Sequence, residues 1–173
     1  MLNIQHFKVN FIEENCYVVS DETREAVIID CGAFFPEEKA AISFYLAENK
    51  LMLRHLLCTH GHFDHTLGVA HLKKRYGIPF ALSSKDQFLL DNASTSGSIF
   101  GVPVGEMPAA DLDLDTTPEI RFGHTVMRVI HTPGHTPGSV VLLCGKHLFC
   151  GDTLFAGSIG RTDLEGGSSA QMA

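Results

Sequence analysis

The feature that most restricts how this chain can fold is the join between an apolar run and a polar cluster. "LRHLLCT" ends at Thr59, and "HGHFDH" follows at once, placing His60, His62, Asp64 and His65 within six positions. The first segment reads as a buried strand. The cluster therefore leaves a core strand on a loop. There, side chains two apart can converge on one point, so His60 and His62 fit as two nitrogen ligands of one ion. Asp64 and His65 suit a second ion in the same loop. Solvated loop histidines and a helix-capping aspartate are the plainer alternative.

Matching chemistry recurs downstream. "HTPGHTPGS" sets His135 between two Pro-Gly turns at a strand-to-strand junction. Prolines fix φ and glycines allow tight reversal, so this loop presents His135 rigidly. "LFCGDTLF" puts Asp152 at the end of an apolar strand, with Gly151 giving close backbone access. A carboxylate there is costly unless paired or metal-bound. The expected arrangement gives one ion His60, His62 and His135 with a position open for water. The other ion takes Asp64, His65 and Asp152, and Asp152 bridges both. A bridging water then becomes the nucleophile, with Asp64 placed to orient it.

The rest of the chain suggests one α/β domain. Its 173 residues, 45% hydrophobic, suffice for a single substantial core. Strands are expected over Leu2–Val9, in "NCYVVSD", over Ala26–Asp30, and in "LRHLLCT" and "IPFALS". A helix follows Pro36 to about Asn49, with Glu37 and Glu38 in its first turn. A second spans Thr66–Tyr76. Ser84 with Gln87 reads as a capping box opening a helix to about Asp91. Residues 93–117 read as one long loop. "EIRF", "TVMRVIHT", "SVVLLC" and "HLFCGD" then give four strands. This order suits two packed sheets with helices outside.

These motifs resemble the metallo-β-lactamase superfamily, in particular its glyoxalase II-like hydrolases. "THGHFDH" matches the His-x-His-x-Asp-His motif, while "TPGHTPGS" and "GDTLF" match the later histidine and aspartate motifs. The similarity runs from Leu2 to about Gly167. "VIIDCG" resembles the strand whose aspartate, here Asp30, supports the metal loop. The resemblance implies an αββα sandwich over residues 1–173. In such relatives a basic residue after the bridging aspartate binds the thiol carrier's carboxylate, and Arg161 in "FAGSIGRTD" occupies that place. Relatives also supply a further histidine to the second ion, whereas no histidine here follows His147. The expectation is a chain truncated at its C-terminus, lacking that strand and helix, with the first ion fully bound and the second weak or absent. The uncovered sheet edge would then invite homodimer pairing.

The function implied is hydrolysis of a small, hydroxyacylglutathione-like thioester using one or two zinc ions, with iron or manganese as other candidates. An alternative is a mononuclear iron persulfide dioxygenase-like oxidoreductase using His60, His135 and Asp152. A third is an inactive fragment that keeps a metal site. His131 is a candidate to hydrogen-bond a ligand. A net charge of -7 argues against nucleic acid and anionic membranes as partners. Five scattered cysteines suit buried free thiols. With no evident signal peptide, the expected location is cytoplasmic.

Overall fold

The computed structural model describes residues 1–173. An antiparallel meander opens it: β1 (Asn3–Val9), β2 (Glu14–Ser20) and β3 (Glu25–Ile29), with Asn3 opposite Ser20 and Tyr17 opposite Ile29. Parallel crossovers follow. Helix α1 (Pro36–Glu48) leads to β4 (Met52–Leu57), and α2 (Phe63–Thr66) with α3 (Val69–Tyr76) leads to β5 (Phe80–Leu82). A 3-10 turn at Ser84–Asp86, α4 (Gln87–Asp91) and α5 (Ala93–Ile99) lead to β6 (Leu112–Asp113). These strands form one sheet in the order β1-β2-β3-β4-β5-β6.

The second sheet is antiparallel: β7 (Glu119–Phe122), β8 (Thr125–His131), β9 (Val140–Cys144) and β10 (His147–Phe149), in the order β10-β9-β8-β7. A small hairpin, β11 (Leu154–Phe155) with β12 (Ser158–Ile159), and the short α6 (Ser169–Met172) complete the chain.

Strand alternation builds two cores on the faces of the first sheet. On β3, Ala26 and Ile28 face the helices with Ile42, Leu46, Val69 and Leu72. Val27 and Ile29 face the second sheet, packing among Phe122, Met127, Val140 and Leu142. Helices α1 and α3 thus cover one side of the first sheet, while the second sheet covers the other. Arg128 and Ile130, on the outer face of the second sheet, are exposed. Pro36 opens α1 as expected, and Glu38 reaches back to accept the amide N–H groups of Phe34 at 2.8 Å and Asn10 at 2.7 Å. That acid therefore moors the β1–β2 turn to the helix.

Three local expectations need correction. Residues 93–117 are not one loop: α5 and β6 lie within them. The Ser- and Thr-rich α5 is held by tertiary packing, with Ala93 buried against Phe63 and Val102. Ser83, rather than Ser84, caps the following turn, accepting from the Lys85 amide at 3.3 Å. The helix expected from Thr66 is split at Leu67 and Gly68 into α2 and α3. All five cysteines are free, four of them buried. No helix is long and apolar enough to cross a membrane.

Leu142 is fully buried between the sheets. Leu142→Ala is expected to cost about 2–5 kcal/mol of unfolding free energy. Urea titration reads this as a lower midpoint at an unchanged slope.

Candidate metal centre

Three chain segments meet at one end of the sheets: the loop after β4, the β8–β9 turn and the segment after β10. Backbone bonding fixes the first two together, since the Val140 amide donates to the Thr59 carbonyl at 2.9 Å. Asp30 supports the junction from the end of β3. Its carboxylate accepts the Thr59 amide and hydroxyl, each at 2.7 Å. Asp30 adopts φ +52, a left-handed conformation uncommon outside glycine. The segment after β10 also approaches closely. Gly151 has φ +50, and a Cβ there would lie 2.2 Å from Thr59 Oγ1. Glycine is needed at that position to bring Asp152 against the cluster.

His60, His62 and His135 offer nitrogen atoms that all lie within 4.8 Å of one another. Their hydrogen bonds orient the lone pairs. Thr59 commits its proton to Asp30, so its Oγ1 accepts from His60 Nδ1–H at 3.1 Å. That leaves His60 Nε2 bare, a buried nitrogen with no hydrogen-bond partner. His135 Nδ1–H donates to the Arg161 carbonyl at 2.7 Å, turning Nε2 inward to 3.0 Å from His62 Nδ1. Burial, reinforced by neighbouring imidazoles, holds the His60 pKa well below normal and that of His62 down to about 3. Neutral rings with converging lone pairs are what a transition-metal ion requires. The orphaned Nε2 shows that this donor set fits such an ion.

The second half of the centre is acidic. Asp152 spans both halves: Oδ2 lies 3.4 Å from His135 Nε2 and 3.9 Å from His60 Nε2, while Oδ1 lies 3.3 Å from His65 Nε2. Asp64 Oδ2 is 3.5 Å from the same His65 nitrogen. Behind the ring, His65 Nδ1 faces Asp30 at 3.2 Å and Glu14 at 3.3 Å. Burial pushes Glu14 up to about 10, and the facing His65 opposes that shift. Burial opposes a proton on His65 as well, but Asp64, Glu14 and Asp30 outweigh it and raise its pKa. This half of the site attracts a cation, whether a proton or a metal ion.

The structure thus brings together His60, His62, Asp64, His65, His135 and Asp152. Arg161 is placed differently from the others. Its side chain is exposed and forms a two-pronged ion pair with Asp163 at 2.7 Å, while its carbonyl orients His135. His131 does not touch a ligand histidine; it is exposed, 3.5 Å from Asp115, so the expected support role is corrected. Sequence reasoning missed Glu14 and Thr59. Glu14 carries no local signal, because its proximity to His65 arises from β2 lying beside β3. Thr59 was findable: a hydroxyl beside the first histidine, at the end of a core strand, must bond to something buried.

Metal binding to the native state alone predicts a chelation effect. Saturating a tight chelator is expected to lower Tm by roughly 5–10 °C, with recovery on adding back metal. Differential scanning calorimetry of loaded and stripped protein checks this. His60→Ala should abolish the difference.

The chain is similar to known proteins in sequence and in fold. A sequence model described as "Metallo-beta-lactamase superfamily" matches residues 9–173. A protein from Haemophilus influenzae named hydroxyacylglutathione hydrolase GloC is 33% identical over 170 residues, spanning 96% of this chain and 78% of that one. Among solved structures, the B3 metallo-β-lactamase BLEG-1 superposes with a TM-score of 0.87 at 35% identity, over 99% of this chain and 81% of its own. TTHA1623 in a di-iron-bound form gives 0.84 at 31% identity, over 97% and 81%. The motif match, the shared two-sheet fold and the converging imidazoles agree: the chain belongs to the metallo-β-lactamase superfamily of metal-dependent hydrolases.

Proposed function

We propose that this chain hydrolyses a small thioester of the hydroxyacylglutathione type, with zinc as the working metal. The observation that carries this reading is the donor set itself. Three imidazoles converge beside a carboxylate that reaches a second, acidic half of the site. The similarity to a protein named hydroxyacylglutathione hydrolase supports the substrate class. When bound, a divalent ion at His60, His62, His135 and Asp152 supplies an acidified water and an electrophile for the carbonyl.

The chain's own residues do the rest. His60 and His135 commit their Nδ1 protons to Thr59 and the Arg161 carbonyl, which leaves each Nε2 facing the centre. Asp64, partly exposed beside His65, accepts a hydrogen bond from the attacking water and orients it. A cleft of about 450 Å³ opens on Asp64, His65 and Asp152, with Ile12, Leu148 and Phe155 in its walls. These apolar walls hold the acyl group and reduce competing water. Arg161 stands outside this cleft, where it can exchange Asp163 for the carrier's carboxylate. A mononuclear two-histidine, one-carboxylate site is the weaker reading, because His62 Nδ1 lies 3.0 Å from His135 Nε2 and belongs to the same set.

The test is steady-state hydrolysis of a hydroxyacylglutathione by zinc-loaded protein, beside a chromogenic β-lactam and a glutathione persulfide with oxygen monitored. Thioester turnover in preference to the other two is expected. Oxygen uptake with an iron-loaded protein and no thioester cleavage would overturn the proposal. Asp64→Asn is expected to lower kcat by roughly 100-fold or more. Arg161→Ala is expected to raise KM for the glutathione ester while kcat holds, a split that initial-rate kinetics resolves.

A further inference from the structure

Asp86 is fully buried, lies outside the ligand set, and joins the two loops that carry the histidines. It belongs to the 3-10 turn after β5, a further segment beside the centre. Its Oδ2 accepts the Gly61 amide at 2.9 Å, from the residue between His60 and His62. The same oxygen accepts the Thr136 hydroxyl at 2.7 Å, from the residue after His135. Oδ1 accepts the Gly138 amide at 2.7 Å. Thr136 is itself fixed, its amide donating to Ser139 Oγ at 3.0 Å.

Two glycines make room for this carboxylate. A Cβ on Gly61 would lie 3.0 Å from Asp86 Cβ, and one on Gly138 would lie 2.7 Å from Asp86 Cγ. Both loops therefore approach Asp86 as bare backbone, at distances that no other residue type allows without movement. One carboxylate spans the gap between the His60–His62 pair and His135.

We propose that Asp86 is a positioning residue of the metal centre, setting the separation of His62 and His135 by clamping Gly61 to Thr136 and Gly138. It neither ligates the ion nor contacts substrate. The inference rests on the metal-binding reading of the histidines, but not on the identity of the substrate. Partners that orient ligands in this indirect way commonly change metal affinity by about 10–100-fold when removed.

Asp86→Asn keeps the size but sets an amide N–H against a backbone N–H or the Thr136 hydroxyl. The readouts are zinc affinity, by competition with a chromophoric chelator, and the visible spectrum of the cobalt-substituted protein. Asp21→Asn is the comparison. Asp21 is also buried and accepts four donors, the Thr23 amide and hydroxyl with His124 N–H at 2.8 Å and Thr125 O–H at 2.9 Å, the last two at the start of β8, away from the centre.

Asp86→Asn is expected to weaken zinc binding by about 10-fold or more and alter the cobalt spectrum, whereas Asp21→Asn lowers stability and leaves both intact. Equal affinities in Asp86→Asn and wild type, or equal losses in the two variants, would overturn the proposal. If Asp86→Asn does not fold, Gly138→Ala, which wedges the clamp open, decides the matter, with wild-type affinity counting against it. Wild-type protein that binds no metal would instead defeat the metal reading itself.

Discussion

The candidate metal centre depends on two loops from two different sheets meeting with imidazole nitrogens 3.0 Å apart. Neither loop achieves this alone. The β4 loop brings His60 and His62 from the first sheet, and the β8–β9 turn brings His135 from the second. The core between the sheets fixes their separation, and the Val140–Thr59 backbone bond ties them where they leave it. Close-packed interiors resist small displacements, so they can hold three imidazoles in this crowded arrangement.

The two halves of the centre are built on opposite electrostatic principles. Around His60 and His62, burial and neighbouring rings suppress protonation. Around His65, Asp64, Asp30 and Glu14 favour positive charge. Asp152 joins the halves, with one oxygen toward each. A site with neutral donors on one side and acids on the other suits a hydrolase, which must hold a cation firmly while keeping a carboxylate near the attacking water. Thr59 shows how economically this is arranged: one hydroxyl binds Asp30, fixes the His60 tautomer and so exposes the ligand nitrogen.

Much of this was legible in the sequence where the signal was local. The apolar run ending in "HGHFDH" located the loop and four of its polar residues, and Pro-Gly turns marked His135. Asp152 was visible as an acid leaving a core strand. The family resemblance carried Asp30. Contacts created only by the fold were not legible. Glu14 reaches His65 because β2 neighbours β3, and Asp86 bonds to groups 25 and 52 residues away. Helix α5 escaped notice because its Ser, Thr and Gly residues lack helical patterning; packing on Phe63 supplies what propensity does not. Arg161 shows a mixed outcome, since its position was anticipated but its carbonyl holds His135 in a way no sequence pattern encodes.

X-ray absorption at the metal edge of the zinc-loaded protein addresses the shared cation most directly. The account predicts three imidazole nitrogens at about 2.0–2.1 Å on the first ion, with one imidazole lost in His135→Ala. A first shell without imidazole, or one unchanged when His135 is removed, would contradict it.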